Sequence, residues 1–164
     1  MERLFSPWRY GYVTGAADPD SRCIFCHALE GADAPLVLAR GRTAYVILNL
    51  YPYNSGHLMV VPNRHVAALA EITSEELVEL MTLVQRSEIV LSEVYAPHGI
   101  NVGLNLGRAA GAGVADHLHI HVVPRWAGDT NFMSVVGDVR VLPEELPASA
   151  DRLRPAFARL AAHA

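Results

Sequence analysis

The chain is poor in charge, poor in cysteine and free of long apolar runs, and each shortage removes a class of protein. Charged residues make up 18% of the 164 positions, and acidic residues outnumber basic ones 17 to 13, for a formal net charge of −4. A general nucleic-acid binder shows a basic balance or stripe, so an anionic ligand must here be met by a local site. No uninterrupted apolar run is long enough to span a bilayer, and the N-terminus Met1-Glu2-Arg3-Leu4-Phe5-Ser6-Pro7-Trp8 lacks the charged-then-apolar layout of a signal peptide, so a cytoplasmic location is expected. Cysteine occurs twice, as Cys23-Ile24-Phe25-Cys26. A structural disulfide is not expected in a reducing compartment, which leaves a metal half-site needing two more ligands, a redox pair, or two inert thiols. Internal repeats and low-complexity segments are missing as well. With 51% apolar residues, the length suits one domain with a real core. The expected organisation is a single domain over 1–164: an N-terminal arm at 1–20, a core at 21–125 and a C-terminal extension at 126–164.

Within that frame the pattern alternates between strand and helix signals. Leu36–Arg40 and Thr43–Asn49 read as strands joined by the short hairpin Gly41-Arg42. The turn-rich loop Tyr51-Pro52-Tyr53-Asn54-Ser55-Gly56 leads to a third strand, His57–Val61, closed by Pro62. Thr73 with Glu76 three residues on forms a capping box. From there Leu77, Leu80, Met81, Val84, Leu91 and Val94 keep helical spacing to about Tyr95 and are assigned to the core. Pro97 and Gly99 end this helix, and Ile100–Asn105 forms a fourth strand. Trp8, Tyr10 and Tyr12 give the arm large groups to lay on the body, and Val135–Leu142 is a short apolar run. The tail from Pro143 is helical in composition, with Pro147 and Pro155 expected to break or kink it and Arg152, Arg154 and Arg159 expected to be solvated. Strands, one long helix and strands again imply an α+β fold: an antiparallel sheet of about five strands, one long helix and a C-terminal helical tail.

The densest chemistry lies in Asp116-His117-Leu118-His119-Ile120-His121-Val122-Val123-Pro124-Arg125, preceded by the small-residue loop Gly107–Ala115. Strict alternation sends Leu118, Ile120 and Val122 to one face of a half-buried strand and the three imidazoles to the other. Same-face neighbours on a strand lie roughly 6–7 Å apart, so the rings form a row suited to a chain of phosphates. A solvent-facing strand would use Thr, Lys or Glu rather than histidine, and one metal ion cannot close on rings so widely spread without a partner from elsewhere.

These residues resemble the histidine triad family of nucleotide hydrolases and transferases. Supporting matches are Asn54-Ser55-Gly56-His57, Pro62-Asn63-Arg64-His65 and the Cys-Ile-Phe-Cys pair, with Leu48–Asn54, Asn101–Gly107 and the flanks Trp8-Arg9 and Trp126–Phe132 similar to the bacterial diadenosine tetraphosphate hydrolases and phosphorylases. The resemblance implies a nucleotide substrate, with His119 attacking the α-phosphorus to give a nucleotidyl-histidine that water or phosphate then resolves. Neutral imidazole is a competent nucleophile near neutral pH. It further implies that His121 donates to a phosphoryl oxygen, that the amides of Gly111, Ala112 and Gly113 cradle negative charge, and that Asn105 meets phosphate or ribose and Asn49 the ribose side, with a loop-stabilising amide as the other reading of each. Backbone or Arg108 is expected to supply the contact that the Gly113 position cannot make with a side chain, or the preferred substrate differs. Glycine suits such a cradle because a phosphate must approach the main chain closely. Related members often carry Gln or Ser where this chain has Gly113. A zinc-bearing subset matches Cys23, Cys26, His65 and His117 as structural ligands, with magnesium accompanying the polyphosphate, and the usual assembly is a homodimer with joined sheets. His57 is expected to be buried and hydrogen-bonded, His27, His98 and His163 to lie at the surface, and Arg125 to face phosphate or close the strand end with a salt bridge. Other readings of the same pattern are a phosphorylase, a nucleoside phosphoramidate hydrolase, or a non-catalytic nucleotide sensor or scaffold.

Overall fold

A computed structural model describes residues 23–30, 34–129 and 144–162. The aromatic arm, the run Val135–Leu142 and His163 lie outside the described residues. The elements are α1 (Ile24–Glu30), β1 (Val37–Arg40), β2 (Ala44–Leu48), β3 (Leu58–Pro62), α2 (Ser74–Tyr95), β4 (Gly99–Leu104), β5 (Ile120–Arg125) and α3 (Leu146–Ala162), with short 3-10 turns at Leu69–Glu71 and Arg108–Ala110. All five strands pair antiparallel in the order β1-β2-β3-β5-β4, so the histidine-bearing strand is inserted between β3 and β4.

Alternation along the strands sorts the core. Val46, Leu48, Leu58, Val60, Ile120 and Val122 point to one face, where they meet Leu80, Leu83, Val84, Val90 and Leu91 of α2 and Leu153, Ala156 and Phe157 of α3. Tyr45, Ile47, Met59 and Val61 point to the other face and pack under Phe25 of α1. His121 sits opposite Met59 and Gly103 in the ladder, so its ring shares the α1 face. The C-terminal helix therefore completes the same core as the sheet.

The capping box forms as expected: the Thr73 hydroxyl accepts from the Glu76 amide, and Glu76 reaches back to the Thr73 amide. The helix ends at Ala96, which adopts the left-handed conformation with φ 44°. The helical stripe needs one correction. Leu80, Val84 and Leu91 are buried, but Leu77 and Met81 are 42% and 51% exposed. They lie one turn apart on a flank of α2 outside the buried cluster, in which β2, β3 and β5 meet the helix.

The C-terminal segment also departs from expectation. Pro147 occupies the second position of α3, where a missing amide removes no helical bond, and the helix runs on through Pro155, whose side is exposed. Its arginines reach solvent, as expected, and each also finds a partner at the surface. Arg152 pairs with Glu144, Arg154 with Asp151 and with the carbonyls of Pro35 and Val37, and Arg159 with Glu93, which ties the helix to β1 and α2.

Candidate active site and metal centre

The three histidines are held from both sides. The strand proper begins at Ile120, and His117 to His119 form an extended lead-in, anchored where the Leu118 amide donates to the Val66 carbonyl at 2.7 Å. Alternation assigned the faces correctly, yet the imidazole face is not open: His117 and His119 are 1% and 6% exposed. Phe25 of α1 lies against both rings, with centroids at 5.4 Å from His117 and 5.0 Å from His119. His119 and His121 meet edge to face, with ring centroids 4.9 Å apart.

The hydrogen-bond network assigns a tautomer to each ring. His57, wholly buried, takes the Tyr53 amide proton on Nδ1 at 3.0 Å, so its own proton is on Nε2. That Nε2 lies 3.0 Å from His121 Nδ1, which must then accept, leaving His121 with its proton on Nε2. His119 Nδ1 donates to the His117 carbonyl at 2.8 Å, which leaves its Nε2 with a free lone pair. Burial lowers the pKa of His119, and burial followed by the proximity of His119 lowers that of His121 to about 4. Both rings are therefore neutral near pH 7: one presents a lone pair, its neighbour an N–H.

The loop before β3 frames this pair. Asn49 Oδ1 accepts from the Tyr51 amide at 3.0 Å, and Tyr53 lies over His57 at 4.6 Å and stacks on His121 at 5.9 Å. Asn54 donates to the Pro124 carbonyl at 3.0 Å and to Asp129 at 2.8 Å. Asp129 also forms a two-point pair with Arg125, Nε–Oδ2 at 2.6 Å and Nη2–Oδ1 at 3.0 Å, and Arg125 reaches Asn101 at 2.9 Å. The Arg125 guanidinium holds the Asp129 carboxyl well below the usual carboxylate range. Arg125 thus closes the strand end.

At the other end of the lead-in, one donor atom from each of Cys23, Cys26, His65 and His117 falls within a sphere where all lie within 4.8 Å of one another. His117 Nδ1 is 3.2 Å from Cys23 Sγ and 3.7 Å from Cys26 Sγ, and His65 Nδ1 is 3.4 Å from Cys26 Sγ. A tetrahedral ion with thiolates at about 2.3 Å and imidazoles at about 2.0 Å has sulfur–nitrogen edges of roughly 3.5 Å, so the donor set fits such an ion. His117 Nε2 donates to the Pro62 carbonyl at 2.9 Å, which turns Nδ1 toward the sulfurs. His117 is the hinge between the two clusters, its ring on the sulfurs and its carbonyl on His119.

The HIT domain profile matches residues 34–128, which hold β1 to β5 and all three histidines. The chain belongs to the HIT domain family. The AP-4-A phosphorylase of Mycobacterium tuberculosis is 45% identical over 97% of this chain and 86% of its own length. An adenosine 5'-monophosphoramidase of Schizosaccharomyces pombe is 30% identical over 80% of this chain and 95% of its own. A zinc-bound histidine triad family protein from Mycobacterium smegmatis superposes with a TM-score of 0.70 at 28% identity, covering 87% of this chain and 97% of that one.

For this HIT chain the expected residues fall into three groups. His57, His119 and His121 are brought together, as are Cys23, Cys26, His65 and His117. The loop after β4 behaves differently from expectation: the Gly111 amide donates to the Arg108 carbonyl at 3.0 Å and the Ala112 amide to the Gly107 carbonyl at 3.4 Å. Two of the three amides expected to cradle charge are thereby engaged in the turn itself, and only Gly113 keeps an amide with no acceptor among the described residues. Arg108 and Gly113 are exposed and Asn105 half-buried, while Asn49 serves its own loop and lies 3.3 Å from His57. His27 is exposed, and His98, although exposed, accepts the Ala127 amide at 2.9 Å. Sequence reasoning missed Tyr53 and Asp129. The Arg125-to-Asp129 spacing was a visible signal for the second, whereas nothing local marks Tyr53 as the cover of His57.

Proposed function

We propose that this protein is a nucleotidyl transferase that cleaves dinucleoside polyphosphates of the diadenosine tetraphosphate type, with His119 as nucleophile and inorganic phosphate as the acceptor. The observation that carries the reading is the pair of neutral rings: a lone pair on His119 Nε2, fixed by the Nδ1 bond to the His117 carbonyl, beside an N–H on His121 Nε2. The His119 lone pair forms the N–P bond at an α-phosphorus while the bridging P–O electron pair departs with the nucleoside polyphosphate. His121 donates to a non-bridging oxygen where negative charge gathers, and in this reading the Gly113 amide and Arg108 of the loop after β4 meet the remaining phosphates. A phosphate oxygen then forms the second P–O bond, the N–P pair returns to Nε2, and a nucleoside diphosphate leaves. Two in-line displacements retain configuration overall.

Phosphate is chosen over water because the Mycobacterium tuberculosis relative is named a phosphorylase and matches 97% of the chain. Product analysis with diadenosine tetraphosphate tests it. Formation of ADP and ATP that depends on added phosphate is expected; AMP and ATP formed equally well without phosphate would reassign the chain as a hydrolase. An adenosine phosphoramidate is included as a competing substrate, since one relative is named for that activity.

The sulfur–imidazole cluster is proposed to hold structural zinc, which when bound clamps α1 and the Pro62–His65 turn to the lead-in of the triad. Magnesium enters only as a companion of the polyphosphate. A homodimer is proposed to form through β4. Gly99 and Asn101 to Leu104 are exposed, Val102 by 50% and Leu104 by 37%, and Leu77 and Met81 extend an apolar surface on the adjacent flank of α2. Thiol ligands suit a reducing, cytoplasmic compartment; no helix of the described residues is long and apolar enough to cross a membrane.

A further inference from the structure

The segment beyond the HIT match reaches the aromatic ring that seats the turn before His57. Gly56, directly before His57, is buried with φ +77°, and a Cβ there would lie 2.8 Å from Tyr95 Cε2 and 3.2 Å from Leu91 Cδ2. The turn that presents His57 is therefore seated on the edge of the Tyr95 ring, at the last residue of α2. Gly56 is required twice over, by its backbone conformation and by this contact.

The ring is held from the opposite side. The Tyr95 hydroxyl donates to the Glu144 carboxylate, the Arg152 guanidinium lies 5.8 Å from the ring centroid, and Trp126 meets the ring edge to face at 6.4 Å. Glu144 is itself fixed by the Ser149 hydroxyl at 2.7 Å and Arg152 Nη2 at 3.0 Å. Glu144, Ser149 and Arg152 all lie after residue 128, where the HIT match ends. The other side of the turn continues into chemistry, since His57 Nε2 donates to His121 Nδ1 at 3.0 Å and thereby sets which nitrogen of His121 carries its proton.

We infer that Tyr95, anchored by Glu144 of the C-terminal segment, is a positioning residue that seats Gly56 and so holds His57 in register with His121. Tyr95 touches neither ring of that pair and acts through the Gly56–His57 backbone. The inference rests on the proposed role of His121 as donor to the phosphate. The physical argument is one of stiffness. A hydrogen bond between two imidazoles needs both rings within a few tenths of an ångström, and His57 is carried on a glycine turn whose own flexibility is high. An aromatic wall under that glycine removes the freedom, and the hydroxyl bond to Glu144, itself held by Ser149 and Arg152, keeps the wall from swinging. A displacement on the order of 1 Å at such a site costs as much as 10²-fold in rate.

Two variants test this, with kcat, KM and the imidazole 15N shifts of His57 and His121 read in each. Tyr95→Phe removes only the anchor; Glu144 keeps Ser149 and Arg152, so no carboxylate is stranded. Tyr95→Leu removes the wall. Tyr95→Phe is expected to lower kcat by roughly threefold and Tyr95→Leu by roughly tenfold or more, with KM within about twofold of wild type. In both, the His121 Nδ1 resonance should move toward the value of an imidazole without a hydrogen-bond donor, further for leucine. If the leucine variant does not fold, the phenylalanine variant decides alone. Wild-type kcat and unmoved 15N shifts in a folded variant, with only a lower melting temperature, would make Tyr95 a packing residue and overturn the inference. Should wild-type protein fail to turn over diadenosine tetraphosphate, the functional proposal falls, and the 15N shifts still decide whether Tyr95 positions His57.

Discussion

Acidification should destabilise this protein in a way that traces to one ring. His121 has its pKa lowered to about 4 by burial and by His119, against roughly 6.5 in an unfolded chain. Between these values the unfolded chain binds a proton that the folded protein refuses, so stability is complete above about pH 6.5 and is lost as the pH falls toward 4. At pH 5 the loss from this ring alone is about 2 kcal/mol. For a domain of this size that corresponds to a fall in melting temperature of about 4–8 °C. The assay is thermal unfolding at roughly pH 7.5 and pH 5 for wild type and His121→Asn, at one protein concentration because a dimer would make the midpoint concentration-dependent. Asparagine keeps an oxygen for the His57 N–H and removes the titration. The pKa of His117 and His119 is also lowered, with burial the main cause, but these rings are common to both proteins and cancel in the comparison. His121→Asn should therefore lose less melting temperature on acidification than wild type, by about 4–8 °C. Equal losses in the two proteins would refute the reasoning that His121 is held neutral.

Two further outcomes follow from the site's supports. Glu76 has a side chain only 7% exposed, and its carboxyl is drawn down to about 2, first by the two-point hydrogen bond from Arg64 and then by the Thr73 amide. Arg64→Ala should cost about 2 kcal/mol in urea unfolding at neutral pH, and a change within error would mean that the helix start does not depend on this pair. Protein purified without added metal should contain close to one zinc per chain, and Cys26→Ala should lower both metal content and melting temperature; full activity and unchanged melting in metal-free protein would remove the structural role.

What the sequence could tell followed from periodicity, and what it could not followed from partners brought in over long distances. Alternation from His117 to Val122 placed the imidazoles on one face correctly, but alternation reports faces and not what covers them; Phe25 and Tyr53 bury the rings from distant segments. The capping box at Thr73 is a local device and was legible to the residue. The same helix's Leu77 and Met81 have the spacing of core residues, yet they stay exposed, because spacing carries no information about how much of a helix face a neighbouring layer covers. Pro147 reads as a helix breaker in the sequence, since nothing local says that the helix begins one residue before it. Arg152, Arg154 and Arg159 are solvated as their composition suggests, while the partners they find at the surface, Glu144, the start of β1 and α2, are not marked in the sequence. The metal donors were read through family resemblance, and the structure brings those four side chains together.

The central claim is that His119 Nε2 becomes covalently nucleotidylated, and one measurement addresses it. Wild-type protein mixed with diadenosine tetraphosphate without phosphate, quenched in alkali within the first turnovers and analysed by peptide mass spectrometry, should carry one adenylyl group on His119, which added phosphate discharges as ADP. Turnover with no adenylylated His119 peptide at any time, or an adduct on another residue, would contradict it.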